Sequence, residues 1–371
     1  MKINSHNEWD KLKEVIVGNG ESQAALIFPK DRKYSEDEMK NIIGLAKEAY
    51  PQKLTDEINE DLEKLCNVIK EYSCKVLRPN NEDINKMFST PNFTAIGNNL
   101  FNMRDLHLVV GNTVIESPSP SMHRYFEPTG LNDIWYDYFK SGFQWIGAPK
   151  SKLVGNYRIP FYEDGKRYSR LTEDEILFDA AAVLRMGRDL LYLVSSTGNY
   201  LGAKWLSSIL GEEYRVHTTE GIYRSSHIDS TAIALRPGLI LLNQYRVNEK
   251  NCPQVLRQWD KIYFNDIAPF PSETLEFQEK VRSRIAKELK NRYGVDTNIW
   301  DTASEWMGMN IFSLDPETVI ADKRQTALIK VLEKYKLTVI PVSVRHSYLT
   351  GGLHCNMLDT VRESKLESYF D

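Results

Sequence analysis

Cysteine is scarce in this chain: its 371 residues hold four, Cys66, Cys74, Cys252 and Cys355, scattered and never spaced as CxxC. That excludes a disulfide scaffold and a cysteine-rich zinc site, and it favours a reducing compartment. Excess positive charge is missing as well, with 47 Lys+Arg against 51 Asp+Glu and a net charge of −4. Binding to nucleic acid or an anionic membrane calls for a basic surplus, so neither partner is expected. No apolar run approaches the ~20 residues a spanning helix requires. The opening MKINSHNEWDKLKEV has no apolar stretch and no cleavage site, so a soluble, cytoplasmic protein is the expectation. Low-complexity segments and long Pro/Gly linkers are absent too. With 42% hydrophobic and 26% charged residues, the composition is that of an ordinary globular protein. The length admits two domains or one large one; nothing divides it, so a single domain over 1–371 is expected.

What is present is a succession of short apolar strands punctuated by turn residues. VIVG at 15–18 ends a strand in a turn. LHLVVGNTVIES (106–117), IALRPGLILLN (233–243) and NIFSLDPETVIAD (310–322) each place two apolar runs around a turn pair, the signature of a hairpin. Helical periodicity followed by a strand recurs in DEINEDLEKLCNVIKEY–CKVLRP, GAKWLSSIL–YRVHTT and TALIKVLEKY–LTVIPVSV. LLYLVS at 190–195 reads as a further strand. A hairpin, a helix and a return strand thus repeat without any repeat of residues, which points to a closed radial α/β architecture rather than a doubly wound sheet. Two stretches, 151–170 and 265–300, are the softest; the second leads into the basic helix EKVRSRIAKELKNRYG.

Several polar residues sit at strand rims, where a rigid scaffold holds chemistry. Asp105 precedes a strand, and Asp179 stands among small apolar residues. HIDST places His227 and Asp229 two apart, on one face of an extended segment. His354 and Cys355 follow a glycine pair. Each has a plainer reading: Asp105 as a surface ion pair, Asp179 as a turn cap, and Cys355 as a small buried hydrophobe. In an extended segment His354 points away from Cys355, so it reads as structural. His-x-Asp lacks a third ligand at any recognisable spacing, so no metal is expected. Arg185, Arg246 and Arg345 read as solvated. The residues alone support a Cys/His/Asp nucleophilic site whose several carboxylates call for a cationic substrate.

Taken together, HNEWDKLKEVIVG, FNMRDLHLVVGNTVIESP, FDAAAVLRMGRDLLYLVSSTGNYLGAKWL, YRVHTTEGIYRSSHIDST, LRPGLILLN, SEWMGMNIFSLD and GGLHCNMLDTVRESKLESY resemble the amidinotransferase family almost end to end. YRSSHIDST and DKRQTALIKVLEK resemble its bacterial natural-product branch more than its glycine branch. The resemblance implies the pentein fold, a five-bladed pseudo-symmetric α/β-propeller of ββαβ units. It implies transfer of the amidino group of L-arginine to an acceptor amine through a covalent amidino-cysteine, with ornithine released and no cofactor. Cys355 then matches the nucleophile, His227 the acid/base and Asp179 its carboxylate partner. Asp105 and Asp229 match carboxylates at the guanidinium, while Arg246 and Ser304 match the hold on the donor's amino-acid portion. On this reading the imidazolium lowers the thiol pKa. Family members are often dimers, which makes a homodimer the expectation here.

Departures from the family pattern are Ala182 in FDAAA, Met103 in FNMRD, and TGGLHC in place of GGGFHC. Ser226, before His227, stands where the glycine-type enzyme carries a bulky Met, which implies room for an acceptor larger than glycine. Arg224 nearby is placed either to meet an anionic acceptor or to be a solvated loop residue. Two other readings stay open: an arginine deiminase-like hydrolase, and a non-catalytic propeller that binds a macromolecule.

Overall fold

The computed structural model describes residues 2–20, 24–26, 47–49, 51–80, 86–97, 100–155, 157–163, 166–293, 304–346 and 351–370. Among these residues, five three-stranded sheets share one pattern. In each, a central strand pairs antiparallel with one neighbour and parallel with the other. The second sheet joins His107–Val110, Thr113–Glu116 and Gln144–Gly147. The third joins Val183–Met186, Asp189–Val194 and Arg215–Glu220. The fourth joins Ala232–Arg236, Leu239–Asn243 and Asp260–Phe264, and the fifth Phe312–Asp315, Thr318–Asp322 and Thr338–Val342. In the first sheet, Leu12–Val17 pairs antiparallel with Met357–Arg362 and parallel with Lys75–Leu77. That sheet therefore ties the two ends of the chain together.

The hairpins and helices follow the apolar pattern closely. A parallel return strand needs a crossover, and Gln52–Glu71, Asn132–Phe139, Tyr200–Leu210 and Thr326–Lys334 supply it in four sheets. The fourth sheet crosses over through a single 3₁₀ turn, Gln254–Leu256. Helix Gln52–Glu71 shows why these segments are helical: Leu54, Ile58, Leu62, Leu65 and Ile69 recur every three or four residues and are buried. They pack with Val15 and Val17 of the first sheet and Phe312, Leu314 and Ile320 of the fifth.

Two expectations need correction. The hairpin holding LLYLVS begins earlier, because VLRM turns at Gly187, whose φ of +74° suits glycine. Part of the stretch 151–170 is a regular hairpin, Arg158–Glu163 with Lys166–Leu171; alternation over RIPFYE and KRYSRL was the available signal. Residues 294–300, at the end of the second soft stretch, and Thr350 lie outside the described residues.

One recurrence positions the site. The outer hairpin strand of each sheet follows directly on a short turn or 3₁₀ segment: Met103–Asp105, Ala180–Ala182, Ile228–Ser230, Glu305–Met309, and the turn that ends at Asn356. Met103–Asp105 packs on Ala180–Ala182, which packs on Ile228–Ser230, which packs on Glu305–Met309. Strand Met357–Arg362 returns to Met103–Asp105. Five equivalent strand entrances thereby meet in the interior.

Candidate active site

Those entrances carry the polar residues picked out from the sequence. Asp105 ends the first 3₁₀ segment, and Asp179, His227 and Ser304 are the N-caps of the next three. Asp229 lies inside its segment, and Cys355 lies in the turn before Met357. Sequence-distant groups are therefore brought together because each occupies the same place in a repeated unit.

Cys355 is buried, and its Sγ donates to Asp229 Oδ2 at 3.3 Å. Its backbone N–H donates to Asn310 Oδ1 at 3.1 Å, while Asn310 Nδ2 donates to the Asp229 carbonyl at 3.2 Å. The glycine pair makes this possible. A Cβ on Gly352 would meet Asn310 Oδ1 at 2.4 Å, and one on Gly351 would meet Asn102 Oδ1 at 2.4 Å. Close backbone approach, not a special dihedral, requires glycine at both positions.

His354 occupies the same tight turn, and here the structure overturns an expectation. The chain is not extended, so His354 and Cys355 reach one oxygen: His354 Nδ1 is 3.1 Å from Asp229 Oδ2. Likewise, His227 and Asp229 do not share an extended segment, because Ile228–Ser230 is a 3₁₀ turn.

His227 is held between two carboxylates, with Nε2 2.9 Å from Asp179 Oδ2 and Nδ1 3.5 Å from Asp105 Oδ1. Burial opposes its charge, yet Asp105 and the Asp179 hydrogen bond outweigh that and raise the imidazole pKa to about 9. Burial also pushes Asp179 up, but the His227 hydrogen bond holds it below its ordinary value. Asp179 is an N-cap whose side chain caps nothing; it serves the imidazole instead. Asp105 is no surface residue: it is buried and bonded to Arg124 at 2.6 Å, and burial raises its pKa.

The thiol does not behave as expected from an imidazolium neighbour. Burial, then the Asp229 and Asp105 carboxylates, push the Cys355 pKa well above its ordinary value. Asp229, in contrast, is held far below its usual range, since the His354 hydrogen bond and charge overcome its burial. The Cys355 thiol accordingly stands as a donor to Asp229 Oδ2. One oxygen each of Asp105 and Asp229, the Oδ1 in both, is buried with no hydrogen-bond partner. Buried carboxylate oxygens without a hydrogen-bond donor suit a planar, multiply donating cation.

Arg246 and Ser304 form a neighbouring cluster. Arg246 Nη2 donates to Ser304 Oγ at 2.7 Å, and Nη1 donates to Thr231 Oγ1 at 2.8 Å and Ser230 Oγ at 3.0 Å. Its guanidinium lies 3.6 Å from the Tyr223 ring centroid. Arg246 is thus rigidly held beside the Asp229 turn rather than solvated. Ser226 is half-buried, its carbonyl accepting from Ser195 Oγ at 2.9 Å.

No family model matches the chain. Direct similarity is extensive. An inosamine-phosphate amidinotransferase 1 from Streptomyces glaucescens is 39% identical over 373 residues, spanning 99% of this chain and 99% of that protein. The chain belongs to the amidinotransferase family. The structure of an inosamine-phosphate amidinotransferase from Streptomyces griseus superposes with a TM-score of 0.83 at 36% identity, over 100% of this chain and 99% of that one. An amidinotransferase of the saxitoxin biosynthetic pathway in Microseira wollei gives 0.81 at 33%, over 99% of both chains. This chain is accordingly an enzyme that transfers amidino groups, with an α/β fold and small-molecule substrates. No helix among the described residues is long and apolar enough to cross a membrane.

Several residues of this amidinotransferase's site carried no signal that composition or spacing exposes. Arg124 bonds both Asp105 and Glu127, the latter at 2.6 Å. Asn310, Glu8 and Arg104 lie inside the family motifs but had no assigned role. Arg185 is a buried core residue, not a solvated one: it bonds Asp359 at 2.6 Å and Ser5 Oγ at 2.7 Å. Arg345 is half-exposed and tied to Asp61 and Glu57. Arg224 pairs with Glu163. Ala182 and Met103, two of the three departures, are both buried.

Proposed function

We propose that this protein moves the amidino group of L-arginine, by way of a covalent amidino-Cys355, to an acceptor amine other than glycine in specialised metabolism. The observation that carries this is the contact of Cys355 Sγ with Asp229 Oδ2, beside orphaned oxygens on Asp105 and Asp229. A guanidinium entering there places its planar N–H groups on carboxylate oxygens that accept no hydrogen bond in the free enzyme. Its charge offsets the two carboxylates that hold the thiol pKa up, so the sulfur passes its proton to Asp229 Oδ2, the oxygen it already touches, only when the donor is in place. The thiolate then attacks the guanidinium carbon.

His227 is the acid in the first half-reaction, since an imidazole with its pKa raised to about 9 enters protonated. It gives its proton to the departing nitrogen of ornithine as the C–N bond breaks. The neutral ring then takes a proton from the incoming amine, which attacks the amidino carbon and expels the Cys355 thiolate. Asp179 holds the ring in position. Arg246, fixed by Ser304, meets the donor's carboxylate, and the small Ser226 leaves room for a larger acceptor. The five sheets would be the blades of one propeller spanning 1–371, and a homodimer is the proposed assembly.

Mass spectrometry of the enzyme incubated with arginine alone tests the first half: an adduct of one amidino group on Cys355 is expected. Ornithine release that depends on an added amine, with glycine a poor acceptor against lysine and aminocyclitol phosphates, tests the second. Citrulline and ammonia from arginine alone would mean hydrolysis instead, and glycine as the favoured amine would remove the acceptor assignment.

A further inference from the structure

Asp105 faces two ways. Its Oδ2 accepts from Arg124 Nη1 at 2.6 Å, while its Oδ1 stands 3.5 Å from His227 Nδ1 and accepts no hydrogen bond. Arg124 itself has little freedom to turn. Its Nε and Nη2 donate to the two oxygens of Glu127 at 2.8 and 2.6 Å, and Nη2 also donates to the Asn102 carbonyl at 3.2 Å. Glu127 is 3% exposed, and the Arg124 side chain 11%. Neutralising charge alone does not call for this arrangement, because Glu127 already offers the guanidinium a bidentate partner. A further N–H is spent on one oxygen of Asp105, and the second oxygen is left without a donor.

We propose that Arg124 is a positioning residue that tethers one oxygen of Asp105, so that the carboxylate does not close on His227 and its other oxygen stays open for the donor's guanidinium. A carboxylate and an imidazolium 3.5 Å apart attract each other in a buried site, and a small rotation of the Asp105 side chain would bring them into a hydrogen bond. Arg124 resists that closure from the opposite side. It is fixed to a buried carboxylate at two atoms, so drawing Asp105 off it means losing a charge-assisted bond that nothing else replaces. Without the tether, a donor guanidinium would have to compete with His227 for Asp105, and its binding would weaken.

The charges that bear on this assembly come from both sides of the site. Asp105, Asp179 and Asp229 act on His227; His227, Arg124 and Asp229 act on Asp105; Glu127, Asp105 and Asp179 act on Arg124. Loss of the Arg124 charge and closure of Asp105 therefore both drive the imidazole pKa upward from about 9, whereas loss of Asp105 drives it down. A general loosening of the fold would not give opposite signs for the two partners of one ion pair. The inference rests on the donor contact of Asp105 proposed above, but half of its test needs no arginine.

The His227 titration is read in the free enzyme by NMR of isotope-labelled imidazoles, with His227→Gln assigning the resonance. Affinity for L-arginine is read by calorimetry in a Cys355→Ala background, where no adduct forms. Arg124→Gln is expected to move the His227 midpoint about half a unit or more to higher pH and to weaken arginine binding about tenfold or more. Asp105→Asn is expected to move that midpoint down, and in its background Arg124→Gln is expected to add less than half of the shift it causes alone. Should Arg124→Gln not fold, Arg124→Lys, which cannot span both Glu127 oxygens and Asp105 at once, is expected to move both readings the same way. A folded Arg124 variant that leaves either the midpoint or the arginine affinity at its original value overturns the proposal. An Arg124 effect on the midpoint that persists undiminished without Asp105 overturns it too. Failure of the Cys355→Ala enzyme to bind arginine with Arg124 intact would instead strike at the proposed function, and the midpoint would still decide whether Arg124 restrains Asp105.

Discussion

Cys355 Sγ and His354 Nδ1, adjacent in sequence, converge on the same oxygen, Asp229 Oδ2, at 3.3 Å and 3.1 Å. The thiol is a donor in this arrangement, and the carboxylate opposes its ionisation. Asp229→Asn removes that opposition. The free enzyme should then alkylate at Cys355 faster near neutral pH, while amidino transfer falls by two orders of magnitude or more, since the donor has lost an acceptor at its reacting end. Iodoacetamide kinetics set beside turnover check this pair of opposed effects.

His227 links stability to pH. Its folded pKa, raised to about 9 against an ordinary 6.5, means that the extra stability is fully present below 6.5 and is lost as pH climbs through 9. The loss across that window should be about 3 kcal/mol at most. Denaturant titrations at pH 6 and pH 9.5 should show it in the wild type, and His227→Gln should remove the His227 part of the slope.

Arg246 is fixed by Ser304, Ser230, Thr231 and the Tyr223 ring. A lysine cannot reproduce the fork that reaches the hydroxyls of Ser304 and Thr231 together. Arg246→Lys should therefore raise the KM for arginine about tenfold to a hundredfold with a smaller change in kcat, as steady-state kinetics at saturating acceptor would show.

Gly352 has Asn310 where a Cβ would stand, at 2.4 Å. Gly352→Ala should push Asn310 off the Cys355 backbone N–H and cut activity at least tenfold with only a modest loss of stability. Circular dichroism melting alongside activity separates the two.

Arg185 and Asp359 form a buried pair between the third and first sheets, with Arg362 donating to the same carboxylate. Asp359→Asn leaves two buried guanidinium groups undercompensated and should cost about 3–5 kcal/mol in chemical denaturation. Burial pushes the Asp359 pKa up, but Arg185, Arg362 and Arg104 outweigh it and hold that carboxyl far below its ordinary value.

Local pattern by itself determined the hairpins at 106–117, 233–243 and 310–322 and three of the helix-and-return-strand pairs, because burial of one face imposes a period on a segment. The sequence also determined which residue types bear chemistry: one cysteine behind a glycine pair, a His-x-Asp, and lone aspartates ahead of strands. Only the tertiary structure decided how they meet. The strand entrances are equivalent positions of five units, so residues 105, 179, 227, 229, 304 and 355 converge without any spacing that links them. It decided, too, that Arg185 is core, that His354 contacts Asp229 in the site, and that burial and two carboxylates push the Cys355 thiol pKa up. Charge, desolvation and hydrogen-bond partners come from residues hundreds of positions apart, and no local window contains them.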